Sequence, residues 1–482
     1  MWEELQLSRY KLFASEKHAI TLVFVVGAIL RAIPELAAYP NPIGYDVINY
    51  YLPVVSNFDS YWNVVSGQFP VYVILLHVIN LTGLLSPYWT VVIGAITTFG
   101  FFSAVIFVAG RSLMKLSVGW SIFLAVFVMF QLAVLRTSWD EHRDIFALST
   151  AILAFVLIGR KRDNSIGWKT IALAAVLSGV TAASDRQIGA LFCAVSMVYS
   201  SMVRTKAAIV CTIPAVTIFV LLFLFSGNNN SWIWQSLENH LALPGTPNAR
   251  PPETITSYSS LNLMLYFVVM DALLVPTAII GFGKAHSLLK ISLLITITAS
   301  FSWIIFPNAE ALVGNRWITL AGIFLSIFSG RGIVKLLDKV KIKYSASLAA
   351  AVLSYFIIAG LEFALLPYDA PFFLFAVTRD NIQEFSPVTM QFNSLQLKDN
   401  DKMISAITWI NNNTEHNAVI VGQKHWLGFM ELYLKDERSY YFSDNLEVLA
   451  KALENRGENV YLMKFDDSLP TKFTVTGYSI LR

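Results

Sequence analysis

The chain has 482 residues, of which 55% are hydrophobic and only 14% charged. An ordinary soluble domain carries roughly a quarter charged residues, so a wholly water-soluble protein is excluded. The formal net charge of +3 says little by itself, because its distribution along the chain carries the information, and no nucleic-acid partner is expected.

In chain order, apolar blocks recur that approach the roughly 20 residues a membrane-spanning helix needs. The candidate spans are 18–38, 87–109, 118–136, 144–159, 170–183, 188–203, 207–226, 262–282, 291–306, 317–330 and 344–366. No small-residue cleavage site follows the first block, so a cleavable signal peptide is not expected. Segment 70–85, "PVYVILLHVINLTGLL", is shorter and ambiguous. Beyond 366 the composition turns mixed and charged. Residues 367–482 read as a small α/β module: a helix near 399–413, strands "AVIVG" and "SYYFS", a helix near 445–456, then strands "NVYLMKF" and "KFTVTGYSI". Both cysteines, Cys193 and Cys211, lie in apolar blocks, so this module has no disulfide. The expected fold is mainly α: a polytopic transmembrane helical bundle of about eleven spans over 1–366, with a small C-terminal α/β extracytoplasmic domain over 367–482. Residues 39–86 form its first outer loop, with interfacial helices.

Lysine decides the sides. Cytoplasmic loops of membrane proteins are enriched in Lys and Arg. If 70–85 does not cross and the N-terminus is cytoplasmic, the inner loops hold all twelve lysines that precede residue 366. If it crosses, the cluster "RGIVKLLDKVKIK" falls outside. Segment 70–85 is therefore expected to be re-entrant or partly buried. The expected location is the cell membrane, multi-pass, with the C-terminal domain outside.

The outer loops and span ends lack lysine but hold Arg31, Arg136, Arg143, Arg186, Arg250 and Arg316. Arginine offers phosphate a planar fork of donors where lysine offers a point charge. As single residues these are interfacial anchors or ion-pair partners; as a set they suggest an outward-facing anion site. The acids on the same side are Asp46, Asp59, Asp140, Glu141, Asp144, Asp185 and Glu310. In "GYDVINYYLPVV", Tyr45, Ile48, Leu52, Val55 and, further on, Trp62 recur at helical spacing, which reads as an amphipathic helix in the membrane interface. Asp46 opens it, either as a carboxylate favoured by the helix dipole or as a functional acid. In "RTSWDEHRDIFAL", Arg136, Asp140 and Asp144 are four apart and would share a helix face. They form an ion-pair ladder or, at a span end, a functional cluster. His142 reads as a surface histidine. "SDRQIGAL" is a tight outer turn, and the long outer loop 227–261 packs on the interface or caps a groove.

On "GYDVINYY", "SWDEHRDIFAL", "GNRWITLAGIFLSIFSG" and "AITWINNNTEHNAVIVGQKHW" the chain resembles the GT-C superfamily of integral-membrane glycosyltransferases. Within it, the stretches resemble the catalytic subunit of oligosaccharyltransferases. Two features depart from that subunit: "GQKHWLGFMELYL" stands where its "WWDYG" sequence would be, and the first motif has one acid. The pattern is closer to the superfamily's enzymes that use a polyprenyl-phosphate sugar, such as protein mannosyltransferases. The resemblance implies transfer of a sugar from a polyprenyl-phosphate-linked donor to a protein or glycolipid acceptor at the outer face.

Such chemistry asks for a base at the acceptor hydroxyl and cations at the leaving phosphate. Asp46 is the candidate base, with Asp140 or Glu141 to orient it or the acceptor. Arg316 and Arg186 are candidates for the phosphate, and Arg143, Asp144 and Tyr45 for the remaining substrate contacts. A divalent ion, Mn²⁺ or Mg²⁺, held by Asp46 and Asp140 is the other use of these acids. An oligosaccharyltransferase-like enzyme with a lipid pyrophosphate donor, and a lipid or polysaccharide transporter, are the competing readings.

Overall fold

Length decides which apolar helices can cross a bilayer. The computed structural model describes residues 16–44, 46–59, 69–159, 167–225, 257–305, 314–340, 342–365, 371–372, 377–378, 397–422, 427–435, 438–442, 446–465 and 478–481. Among them six helices are long and apolar enough to span, or up to seven if a bent pair counts as one. The protein is a mainly α, polytopic helical bundle with a small α/β part.

The described helices are α1 (Glu16–Ala38), a π turn (Val47–Tyr51) continuing into α2 (Leu52–Ser56), α3 (Val71–Asn80), α4 (Pro87–Ser112) and α5 (Val118–Met129). They continue with α6 (Leu132–Asp140), α7 (His142–Gly159), α8 (Trp168–Ser184), α9 (Arg186–Val203) and α10 (Lys206–Phe225). After these come α11 (Ser257–Asp271), α12 (Val275–Phe282), α13 (Ser287–Ser300), α14 (Gly314–Leu337) and α15 (Ile342–Leu365). Each of the eleven expected spans contains helix, but among the described residues only six helices, or seven with the bent pair, are long and apolar enough to cross, fewer than the eleven expected. Three also differ in form. In 291–306, α13 ends at Ser300 and a separate helical turn covers Ser302–Ile305. The expected span 118–136 is α5 and α6, bent by 61°. The expected span 262–282 is broken: α11 ends at Asp271, a 3₁₀ turn covers Ala272–Leu274, and Pro276 opens α12. Proline fits a first helical turn, where its missing N–H would go unused. Segment 70–85 holds only the ten residues of α3, about 15 Å at 1.5 Å per residue.

The residues divide into two compact units, and the boundary passes through α1, α3 and α4. The first comprises Met1–Ile33, Asn63–Leu75 and Ile93–Val388. Within it α14 is the central helix, packed on α12, α13 and α5. Glycine sets the approach of α12 to α14: a Cβ at Gly281 would fall on the Phe328 carbonyl, and one at Gly332 on the Thr277 carbonyl. The last carbonyls of α12 are met by cations, with Arg331 donating to Gly281 O at 2.6 Å and Lys335 to Ile280 O at 2.7 Å.

The second unit comprises Pro34–Trp62, Leu76–Val92 and Thr389–Arg482. Its sheet has β3 (Val419–Gly422) between β4 (Ser439–Phe442) and β5 (Val460–Phe465), both parallel to it, and β6 (Tyr478–Leu481) antiparallel on β5. A parallel strand covered on both faces is apolar throughout, and all four residues of β3 are buried. Ile420 packs on Met403, Ile407 and Ile410 of the helix Leu397–Asn413. Val419 and Val421 pack on Ala450 and Leu453 of the helix Leu446–Glu454. The expected elements of the tail are found where described; Lys472–Gly477, at the start of the last expected strand, lie outside the described residues. The helix Leu427–Tyr433 was not expected, because its start lies in the tryptophan-containing stretch read by resemblance.

Ile48, Leu52 and Val55 are buried within this unit. The residues expected to lie on the lipid interface are thus packed in protein, and Ile48 belongs to the core of the C-terminal module. Short two-residue strands at Pro371–Phe372 and Val377–Thr378 pair antiparallel in the first unit.

Candidate functional site

The site lies in the first unit, where the chain turns between helices. The expected ladder Arg136–Asp140–Asp144 is not on one helix. Glu141, with φ −95° and ψ 56°, ends α6, and α7 starts at His142. The turn carries Glu141 and Asp144 into the interior, each 6% exposed. Asp140 closes α6; its side chain, Tyr45, Trp62, Arg250, Glu310 and loop residues 227–256 lie outside the described residues.

The turn is held by Arg31 of α1. Its Nε donates to Ser138 O at 2.9 Å and its Nη2 to Trp139 O at 3.2 Å, which are among the last carbonyls of α6. Nη2 also lies 3.2 Å from His142 Nε2. His142 is 2% exposed, not the surface histidine expected, and Arg31 is a helix cap, not a member of an open anion site.

Three charged pairs follow. Arg316 Nε lies 3.4 Å from Glu141 Oε1. Arg143 Nε lies 3.6 Å from Asp185 Oδ2 and 3.7 Å from Asp144 Oδ1. Asp185 also caps α9, its Oδ1 accepting from Ile188 N at 2.8 Å, the usual service of Asp at an N-cap. Arg186 sits over the Phe69 ring, its guanidinium carbon 5.7 Å from the centroid. The side chain of Arg316 is 29% exposed, against 17% for Arg143, so Arg316 is the more accessible cation.

Glu141, Asp144, Gln187, Arg316 and Thr319 line a small, partly open cleft, closed below by Leu148, Leu320 and Ile323. Residues in the first turns of α7, α9 and α14 meet there. Helix N-termini carry exposed N–H groups and the positive end of the dipole, and so favour anions. Glu141 Oε1, Asp144 Oδ1 and Gln187 Nε2 are buried there without a hydrogen bond. The cleft therefore presents two acceptor oxygens and an amide donor beside an accessible guanidinium, a set suited to hydroxyls next to an anion.

The structure thus brings together Glu141, Arg143, Asp144 and Arg316 of the expected residues, with Arg186 on the first turn of α9. Asp46 belongs to the second unit, at the head of the π turn, and its side chain makes no capping hydrogen bond. Gln187 was missed, because an uncharged residue one past an arginine carries no sequence signal. Asp271 was missed too: it is fully buried in the break between α11 and α12, with neither carboxylate oxygen hydrogen-bonded. A single acid inside an apolar segment is a signal that sequence reading could have used. Among the described residues, no three His, Cys, Asp or Glu side chains are arranged to hold a metal ion. The acids of the cleft face Arg143 and Arg316, which would compete with one.

No known family and no curated protein matches the chain. Solved structures similar to it include the arabinofuranosyltransferase AftD from Mycobacteria, at 10% identity and TM-score 0.47 over 93% of this chain. They also include the Archaeoglobus fulgidus oligosaccharyltransferase in complex with zinc and sulfate, at 12% identity and TM-score 0.42 over 92% of this chain. The chain spans 37% of the length of the first and 67% of the second. Both TM-scores are too low for either likeness to assign a residue its role.

Proposed function

We propose that the chain is an integral-membrane glycosyltransferase that moves a sugar from a polyprenyl-phosphate-linked donor to a protein or glycolipid hydroxyl at the extracytoplasmic face. The observation that carries this reading is the cleft in which buried Glu141 and Asp144 meet Arg316 and three helix N-termini. Taking such charges out of water costs several kcal/mol each, and apolar residues would pack a bundle without that cost. Arg316 and the helix ends suit the charge that grows on a leaving phosphate. Glu141 and Asp144 suit hydroxyls of the sugar or acceptor. Asp46 is the base that the sequence resemblance implies, and it removes the acceptor proton as the bond from the anomeric carbon to phosphate breaks.

The test is a transfer assay with the purified full chain in nanodiscs, using polyprenyl-phosphate mannose, glucose and arabinose. Asp46→Asn, Glu141→Gln and Arg316→Ala should each lower kcat by about a hundredfold or more, the usual size of losing a general base or a charge-stabilising group. Full activity in Glu141→Gln and Arg316→Ala would remove the cleft from the reaction, and full activity in Asp46→Asn would remove that base. A chelator arm decides whether Mn²⁺ or Mg²⁺ takes part, and a lipid pyrophosphate oligosaccharide arm tests the oligosaccharyltransferase-like alternative.

A transporter is the second reading, favoured by one observation. The break between α11 and α12 with a buried acid, Asp271, is the kind of discontinuous helix that transporters use. Movement of the same labelled lipids across proteoliposomes without any transfer product would support it over the enzyme.

A further inference from the structure

The helix that starts at Asp46 is built into the C-terminal module. Ile48, two residues on, is fully buried in the module's core with Met403, Ile407, Ile420 and Phe429. Asn49 Oδ1 accepts a hydrogen bond from the backbone N–H of Gly428 at 2.9 Å, across 379 positions of sequence. Gly428 has no side chain for a reason: a Cβ there would fall on the Ile48 carbonyl. The far end is pinned as well, by Asn80 Nδ2 donating to Val55 O at 3.2 Å. A five-residue π turn followed by a five-residue α-helix is far too short to hold its shape alone, since isolated helices below about 12 residues are marginal in water. Its geometry therefore comes from what it packs against.

We propose that the C-terminal module is a positioning element for Asp46: Ile48 and the Asn49–Gly428 hydrogen bond hold the helix that aims this carboxylate. The module thereby takes part in the reaction and is more than a cover. The inference rests on Asp46 being the base. Asn49 and Gly428 are positioning residues, since neither is assigned to substrate. A displacement of about 1 Å at a reacting group can cost on the order of a hundredfold in rate without altering substrate binding.

Two measurements on the full chain in nanodiscs test it. Amide hydrogen exchange over residues 47–56 is followed in the wild type, Asn49→Leu, Asn49→Asp and Gly428→Ala. Transfer kinetics are followed in parallel with whichever of the mannose, glucose and arabinose donors supports turnover. Asn49→Leu and Gly428→Ala should speed exchange over 47–56 and lower kcat by about 10- to 100-fold, with KM for the lipid donor unchanged. Asn49→Asp keeps an acceptor oxygen for Gly428 N–H and should restore most of the loss. Unchanged exchange in Asn49→Leu and Gly428→Ala overturns the anchoring. Faster exchange with full kcat overturns the positioning role. Full activity in Asp46→Asn removes the proposal together with the base, yet leaves the glycosyltransferase reading standing on Glu141 and Arg316.

Discussion

Arg31 shows what one residue can do in a low-dielectric interior. It reaches two carbonyls at the end of α6 and the ring of His142, all from a side chain 2% exposed. Hydrogen bonds from a charged donor contribute roughly 1.5–3 kcal/mol each where burial excludes water, and a stranded acceptor costs its own desolvation. Lysine keeps the charge but not the fork. Arg31→Lys should therefore destabilise the first unit by about 2 kcal/mol or more, seen as a lower Tm by differential scanning fluorimetry in detergent. An unchanged Tm would mean that the α6–α7 turn is held by other contacts. Sequence reading placed Arg31 in the same outward-facing arginine set as Arg316 and singled out only Arg316 for a phosphate. Residue type was legible; the capping role of Arg31 was not. A cap is defined by carbonyls more than a hundred positions away, and nothing local to "ILRAIPEL" encodes them.

At the scale of elements, helix content was legible because apolar blocks declare themselves by composition. Helix breaks were not. Between α6 and α7 the chain offers no proline or glycine, only the polar run "SWDEHRD", so a continuous helical face was the natural expectation. The break nevertheless makes the site, since it creates a helix N-terminus at His142 and turns Glu141 inward. The α/β module was legible for the opposite reason: its helices show apolar residues three and four apart, as at Leu446, Leu449, Ala450 and Leu453. Helix pairing left a signal that was not used. Gly281 and Gly332 admit the closest backbone approach in the first unit, each facing main-chain atoms of the opposing helix. Small residues at such contacts let membrane helices pack. Gly332→Val must push α14 away from Thr277, and overpacking of this kind costs typically 1–3 kcal/mol. The expected outcome is a Tm loss comparable to that of Arg31→Lys. A serine, smaller and able to bond the carbonyl, should lose less. Equal stability for wild type and Gly332→Val would show that the two helices separate freely there.

At the scale of the whole molecule, the sidedness of the chain decides whether the cleft can meet a lipid-linked donor outside the cell. Two independent lines bear on it. The twelve lysines before residue 366 fall in one alternate set of loops only if segment 70–85 does not cross. The helix found there, α3, is about 15 Å long at 1.5 Å per residue, half of the roughly 30 Å hydrocarbon core. Cysteine labelling can test the outcome with little background, because both native cysteines, Cys193 and Cys211, are buried. Asn412 and Lys451 are exposed on the C-terminal module, and Lys115 and Lys339 are exposed in lysine-bearing loops. With a membrane-impermeant maleimide, Asn412→Cys and Lys451→Cys should label in intact cells. Lys115→Cys and Lys339→Cys should label only after permeabilisation. If Lys115→Cys and Lys339→Cys label in intact cells, segment 70–85 crosses, the cleft between α7, α9 and α14 faces the cytoplasm, and the donor must be sought among sugars activated on that side. If the expected pattern holds, Arg316 and Glu141 lie on the outer side, as the proposed extracytoplasmic transfer requires.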